Sequence, residues 1–408
     1  MSVVTVFSGI FCREDHVVQR LLASTGYKLV DDENVVAEAS RLSGMSESKI
    51  GRSFSARTSV FNKFTHEKES SIAHLRLALA QMLSDDNFLI NGFVGHLVPE
   101  EVRHALRVCL IADVRFRTTV AKEAHGLSEK EGIKLIRKHD DDCAAWANTL
   151  FEEADPWNAS LYDIVIPMDK IGVEGAATLI EENLGKDVVK PTTSSKKAVE
   201  DFLIAARAEA ALAKEGHSVA VSAKDGSVTL TINKHVLMLS RLEEELKAIV
   251  DNVPGVTSVV TKVGKDFHRS DIYRKHDFEV PSKVLLVDDE REFVQTLSER
   301  LMMRDMGSAV AYDGESALHL INEDEPEVML LDLKMPGIDG LEVLRRVKDT
   351  RPEIEVIILT GHGSEADKEQ CMELGAFAYL QKPLDIDVLS ETIREANEKI
   401  RKKKASKT

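Results

Sequence analysis

The run Val328-Met-Leu-Leu-Asp332 does most to limit what this chain can fold into. It is short, continuous and apolar, it ends on a carboxylate, and the chain then breaks into a turn at Met335-Pro336-Gly337. Runs of this length bounded by turn signals suit a strand buried on both faces of a parallel sheet. Asp332 then stands at the carboxyl end of that strand, where ligands and chemistry collect in open α/β sheets. Two similar runs flank it: 283–287 leads into Asp288-Asp289-Glu290, and 355–359 leads into Thr360-Gly361-His362-Gly363. A later run, 377–380, ends with Gln381-Lys382-Pro383. An acid pair, a single acid, a hydroxyl and an ammonium would therefore meet at one sheet edge.

Three carboxylates and a lysine form a site for a hard dication. Mg²⁺ prefers oxygen ligands and is usually held by one or two carboxylates together with waters and a phosphate. Asp332 in such a site can act as a nucleophile towards a phosphoryl group. With these motifs in order, the stretch from Lys283 to about Lys402 resembles the receiver domain of bacterial two-component response regulators. The resemblance implies that Asp332 is the phosphoacceptor, and that Asp288 and Asp289 bind Mg²⁺ together with Asp332 and the backbone carbonyl of Lys334. It also implies that Thr360 hydrogen-bonds the phosphoryl group and that Lys382 neutralises it. Tyr379 matches the aromatic position that changes rotamer on activation, and Lys382-Pro383 matches a bond that is often cis, which is plausible only before proline. The implied partners are a cognate histidine kinase or phosphotransfer protein, with homodimerisation possible. A generic doubly wound domain with acidic strand ends by accident would not supply five motif positions in sequence order.

The chain has 408 residues, enough for two or three domains that each bury a core. Its net charge of −16 argues against non-specific nucleic-acid binding, which needs clustered cations. The one basic cluster, Lys399 to Lys407, reads as a solvated helix end and frayed terminus. The four cysteines, Cys12, Cys109, Cys143 and Cys371, include no close pair, so they read as reduced thiols without a zinc site. No segment approaches a membrane span, and Met1 to Phe11 lacks the basic start of a signal peptide. The expected location is the cytoplasm, with no membrane association.

Two polar seams, 186–197 and 264–281, divide the chain. Three domains are expected: residues 1–188, 196–264 and 282–404. The fold class is α/β, with two parallel-sheet domains, one kinase-like and one flavodoxin-like, joined by a small α+β module.

In the first segment, strand signals at 3–7, 87–92, 106–113 and 162–166 alternate with helical patterns, as in a parallel α/β sheet. Gly26-Tyr27, Arg115-Phe116-Arg117, Gly126-Leu127-Ser128-Glu129 and Leu161-Tyr162-Asp163 make this segment similar to the cytidylate-kinase-like family of P-loop proteins. The departures weigh more than the matches. A phosphate loop needs glycines so that backbone N–H groups close around the anion, and usually a lysine. Here the loop after Gly9 carries Cys12-Arg13-Glu14-Asp15, whose carboxylates would repel a triphosphate. Phe93 follows Gly92, and Cys143 follows Asp140-Asp141-Asp142, at places where the family tends to have arginine. Phosphoryl transfer depends on positioning and charge, so these losses argue for a kinase-like fold without kinase chemistry and against nucleotide binding. Arg115 and Arg117 remain as anion-binding candidates or as ordinary surface arginines.

In the middle segment, a helical face at Phe202, Leu203 and Ala206 is followed by strands at 218–222 and 227–232 around Lys224-Asp225-Gly226, a hairpin signal. An amphipathic helix through Leu239, Leu242, Leu246 and Val250 leads by Val253-Pro254-Gly255-Val256 into a third strand at 258–263. This order resembles a BON domain, with Asn233 where a glycine is common, and implies a docking or spacer module. No helix-turn-helix, nucleotide-cyclase or phosphodiesterase motif is apparent, and His66-Glu67 lacks the ATP-binding glycine boxes of a sensor kinase, so His66 reads as a surface histidine. The expected function is a two-component response regulator with a kinase-like effector or docking domain. The alternative is a nucleoside monophosphate kinase regulated by receiver phosphorylation.

Overall fold

The computed structural model describes residues 3–83, 87–236, 238–265, 267, 283–304, 306–361 and 364–405. Most of the 264–281 seam, and also His362, Gly363 and Lys407, lie outside the described residues. The chain forms two compact units, residues 1–58 with 67–273 and residues 59–66 with 274–408.

The first unit begins with β1 (Val3–Ser8), α1 (Glu14–Thr25), β2 (Lys28–Asp31), α2 (Asp32–Ser43) and α3 (Glu47–Gly51). Next in the chain is α4 (Asn62–Thr65), which belongs to the second unit. The first unit resumes with α5 (Glu67–Met82), β3 (Phe88–Asn91), β4 (Ala105–Ile111), α6 (Val114–His125), α7 (Glu129–Phe151), β5 (Ile164–Pro167) and α8 (Met168–Leu184). Its five-stranded sheet has the order β2-β3-β1-β4-β5, parallel throughout. Successive residues of β1 face opposite sides. Val3 joins the core made with Leu75 and Leu79 of α5, while Val4 and Val6 join Val17 and Leu21 of α1 and Ile180 of α8. β2 carries no apolar run and only Val30 in it is buried, so periodicity alone does not reveal it.

The polar stretch 190–197 is not a linker. It holds the cap of α9 (Thr193–Lys214), where Thr192 and Ser195 form a reciprocal capping box. Ser195 is buried, with its hydroxyl 2.9 Å from Nδ1 of His104. Further along α9, Phe202 and Ala206 enter the core that contains Leu75, while Ala208 and Leu212 enter the core of a second, three-stranded sheet. That sheet consists of β6 (Ala220–Lys224), β7 (Ser227–Ile232) and β8 (Ser258–Val263), covered by α10 (Leu239–Val250). β6 and β7 pair antiparallel, and β7 and β8 pair parallel. At the hairpin Asp225 and Gly226 have φ of 54° and 77°, both left-handed, as a tight two-residue turn requires.

The second unit contains β9 (Val284–Val287), α11 (Arg291–Met302), β10 (Ser308–Ala311), α12 (Gly314–Glu323), β11 (Val328–Asp332), α13 (Gly340–Thr350), β12 (Glu355–Thr360), α14 (Glu365–Glu373), β13 (Ala378–Gln381) and α15 (Ile386–Ala405). Its sheet order is β10-β9-β11-β12-β13, also parallel throughout, with cores on both faces. The basic tail is partly a structural element. Lys399 and Lys403 of α15 reach Glu355 at 3.0 and 3.1 Å, and Glu355 is buried. His66 is likewise not a surface residue: it is 8% exposed and closes α4 with φ of 47°.

Candidate functional site

Parallel register brings the ends of four strands of the second unit together. Leu331 pairs with Val287, Asp332 with Leu359 and Thr360 with Gln381, so residues just past these positions share one edge. Asp288, Asp289 and Asp332 each place a carboxylate oxygen within 4.8 Å of the others, with Asp288 and Asp332 buried and Asp289 exposed. Lys382 Nζ donates to Asp288 Oδ2 at 2.6 Å, lies 3.4 Å from Glu290 Oε1, and stands 4.3 Å from the centre of the Phe293 ring. The Glu290 N–H donates to Asp288 Oδ1 at 2.9 Å, so both oxygens of Asp288 are engaged. Asp332 differs, because its Oδ1 is buried without a hydrogen-bond partner among the described residues.

A buried carboxylate left unpaired is costly, and a native site holding one calls for a partner from outside. Burial pushes the Asp332 carboxyl up to about 6, against the pull of Lys382, with Asp288 and Asp289 adding smaller upward effects. Loss of solvent is thus a larger cause than repulsion from the neighbouring carboxylates. Burial also works to lower the Lys382 ammonium, but its hydrogen bond to Asp288 and the surrounding carboxylates hold it above the ordinary lysine value. Thr360 is fully buried, and its carbonyl accepts the N–H of Lys382 at 2.8 Å, which fixes the lysine backbone against β12. The Lys382-Pro383 peptide is cis. Lys334 lies two residues past Asp332 on the loop leaving β11, with its side chain exposed. The all-oxygen donor set, with one buried acceptor unpaired, fits a hard dication.

The model of the response regulator receiver domain family matches residues 284–394. Residues 284–394 are a response regulator receiver domain. The model of the cytidylate kinase-like family matches residues 3–170, and the N-terminal region belongs to that family. The transcriptional regulatory proteins CpxR of Escherichia coli and of Klebsiella pneumoniae are each 42% identical to this chain over 113 residues, 28% of this chain and 48% of theirs. The chain thus spans about half the length of the curated relatives it matches. Among solved structures, the receiver domain of NtrX from Brucella abortus is 31% identical, with 28% of this chain and 98% of that one covered, at a TM-score of 0.27. Receiver domains generally bind Mg²⁺ in an acidic pocket, the feature that Asp288, Asp289 and Asp332 form here.

In the receiver domain, Tyr379 packs against the core that includes Leu331 and Ile358, and its hydroxyl is buried without a partner among the described residues. Burial raises its phenol above the ordinary value. Two residues of the receiver site have no signal in the sequence. Phe293 backs the Lys382 ammonium, as described above. Gly340 lies so close to the strand end that an added Cβ would fall 2.1 Å from the Asp332 carbonyl oxygen and 2.7 Å from Leu333 Cα. Its N–H donates to the Leu333 carbonyl at 3.0 Å, which closes the loop 333–340.

The cytidylate kinase-like domain turns its loop to a different use. Arg117 is buried rather than superficial, donates to the Ile10 carbonyl at 2.8 Å, and forms a bidentate pair with Asp140 at 2.9 and 2.7 Å. A Cβ at Gly9 would meet that guanidinium at 3.1 Å. The loop thus offers a carbonyl to a cation of its own domain, where a phosphate cradle offers N–H groups to an anion. Glu14 opens α1, and burial pushes its carboxyl up to about 7. Asp15 beside it is exposed, as is Arg115. Phe93 stacks on Phe54 at 5.2 Å and meets Phe7 edge-on at 5.7 Å, while its carbonyl accepts the Trp146 indole N–H at 3.0 Å. Cys143 is buried with Sγ 3.3 Å from His139 Nδ1, and Asp142 accepts the Ala56 N–H at 2.7 Å. Of the positions that depart from the family pattern, Cys12, Phe93 and Cys143 are built into the packing of this domain, while Arg13 and Asp15 are exposed.

Proposed function

We propose that this chain is a two-component response regulator that takes a phosphoryl group on Asp332 from a histidine kinase or phosphotransfer protein. In this reading residues 282–404 are the receiver, residues 1–188 a kinase-like effector or docking domain without kinase turnover, and residues 196–264 a BON-like docking module. The carrying observation is the buried Oδ1 of Asp332, without a partner among the described residues, beside two further carboxylates and the Lys382 ammonium. Asp288, Asp289, Asp332 and the carbonyl of Lys334 would hold Mg²⁺, which supplies positive charge against the carboxylates and the incoming phosphoryl oxygens. An Asp332 carboxylate oxygen forms the new P–O bond as the P–N bond of the donor phosphohistidine breaks, and the released imidazole nitrogen takes up a proton. Lys382 then pairs with a phosphoryl oxygen, and Thr360 donates its hydroxyl to another.

Kinase turnover by the first domain is outside the proposal. Arg117 engages the loop carbonyl and Asp140, and Glu14 with Asp15 opens the helix that would receive a phosphate. Phosphorylation shifts a two-state equilibrium by about 1–3 kcal/mol, enough to switch an interface and far too little to rebuild a cradle. The test is activation of the full chain with beryllofluoride. Hydrogen exchange should change in residues 364–381 or self-association should change by light scattering, while transfer from ATP to CMP stays at background. Robust CMP phosphorylation in either state would promote the regulated-kinase alternative.

A further inference from the structure

The second unit includes eight residues, Ser59–His66, that lie far from the rest of it in sequence. Their flanks, Thr58 and Glu67, belong to the first unit. The segment reads Ser-Val-Phe-Asn-Lys-Phe-Thr-His and forms the single helical turn α4. Its main anchor is Phe61, a large side chain with no exposed surface. The Lys283 ammonium lies 5.8 Å from the centre of the Phe61 ring. Ser59 donates its hydroxyl to Asp324 Oδ2 at 2.6 Å, while Lys283 holds Oδ1 of the same carboxylate at 3.2 Å. Phe64 packs against Gly307, where an added Cβ would fall 2.3 Å from the ring's Cγ.

These contacts define a face of the receiver domain. Lys283 precedes β9, Gly307 precedes β10, and Asp324 follows α12. All three stand at the amino ends of the strands. The carboxylate cluster occupies the other ends of β9 and β11, roughly 16 Å away along a five-residue strand. A hydroxyl from the segment joins the buried Asp324–Lys283 pair, and Phe61 and Phe64, three residues apart, bring two aromatic rings to the same face. A polar pair in such a position is costly unless every lone pair is satisfied, so Ser59 contributes specificity as well as contact.

We propose that the amino-end face of the receiver is a docking surface for a short aromatic segment, and that its partner is residues 59–66 of this same chain. The segment holds the receiver from the end opposite to Asp332, which leaves the phosphoacceptor edge outside the docked surface. Covalent attachment keeps it at an effective concentration on the order of millimolar, so modest intrinsic affinity is sufficient.

Hydrogen exchange on the full chain tests this. The reporters are the amides of Val284, Glu327 and Val328, which donate to Gly307, Lys283 and Lys283 carbonyls, and the control is 340–360. Phe61→Ala should speed exchange at the reporters by roughly tenfold or more and leave the control unchanged, because a lost aromatic anchor acts locally. Ser59→Ala, which removes only one hydroxyl, should produce a smaller effect at the same amides, and serves if Phe61→Ala does not fold. A synthetic peptide of residues 57–68, added at about 1 mM, should restore protection to the Phe61→Ala chain, and the same peptide with Ala for Phe61 should not. Unchanged reporters in both variants would overturn the proposal. So would acceleration across the whole receiver, which would make the segment part of its core, or failure of the peptide to restore protection.

Discussion

Asp332 is expected to destabilise its own domain when metal is absent. Its carboxyl rises from 3.8 to about 6, chiefly through burial, and that rise corresponds to at most about 3 kcal/mol, less whatever solvent screens at this sheet edge. The direction follows from linkage. Below about pH 3 the carboxyl is protonated in folded and unfolded chains alike and has no effect. As pH rises through about 4 to 6 the unfolded chain gives up the proton first, so the folded state loses stability, about half of the total by pH 5 and nearly all of it by pH 7. Asp332→Asn removes the charge and with it the loss. In chelator, the Asn variant should exceed the wild type by up to about 3 kcal/mol at pH 7 and by about half of that at pH 5. Hydrogen exchange of β9 and β11 amides, corrected for the intrinsic effect of pH, reads this domain separately from the rest of the chain. Equal stability at pH 7, or a gap that does not shrink by pH 5, would refute the burial argument. Saturating Mg²⁺ should narrow the gap by stabilising the wild type selectively.

Other consequences are equally open to measurement. Asp289→Ala should weaken Mg²⁺ binding far more than Glu290→Ala in equilibrium dialysis, since Asp289 belongs to the carboxylate cluster and Glu290 borders it; equal affinities would contradict the ligand assignment. Gly340→Ala drives a Cβ into backbone atoms at 2.1 and 2.7 Å, and should cost about 1–3 kcal/mol in receiver stability by hydrogen exchange. Arg117→Ala leaves Asp140 without its bidentate partner and should cost about 2–3 kcal/mol, discounted for the partial exposure of Asp140. Because both tryptophans, Trp146 and Trp157, lie in the first unit, intrinsic fluorescence during denaturation reads that loss directly.

What could be read from the sequence follows from how each feature is encoded. Strands β9, β11 and β12 are buried on both faces and so appear as unbroken apolar runs, whose ends fall at the sheet edge where chemistry gathers. That is why the placement of Asp288, Asp289, Asp332 and Thr360 at one edge could be read, with Lys382 following the half-buried run of β13. Gly340 and Phe293 could not be read in this way, because each matters through an approach made only after folding. The polar start of α9 has the composition of a linker, since caps and linkers draw on the same residues; only the burial of Ser195 separates them. Arg117 and Asp140 belong to different helices, α6 and α7, and nothing in either helix announces the pairing. The segment 59–66 is the extreme case, because its contacts lie more than two hundred residues away.

The central claim is that Asp332 accepts the phosphoryl group. The most direct measurement is to incubate the full chain with a small phosphodonor and Mg²⁺ and to locate the added phosphoryl group by peptide mass spectrometry. The expected result is a single hydroxylamine-labile modification on Asp332 that needs Mg²⁺ and is absent from Asp332→Asn. A modification that persists in Asp332→Asn, or that maps to another residue, would contradict the account.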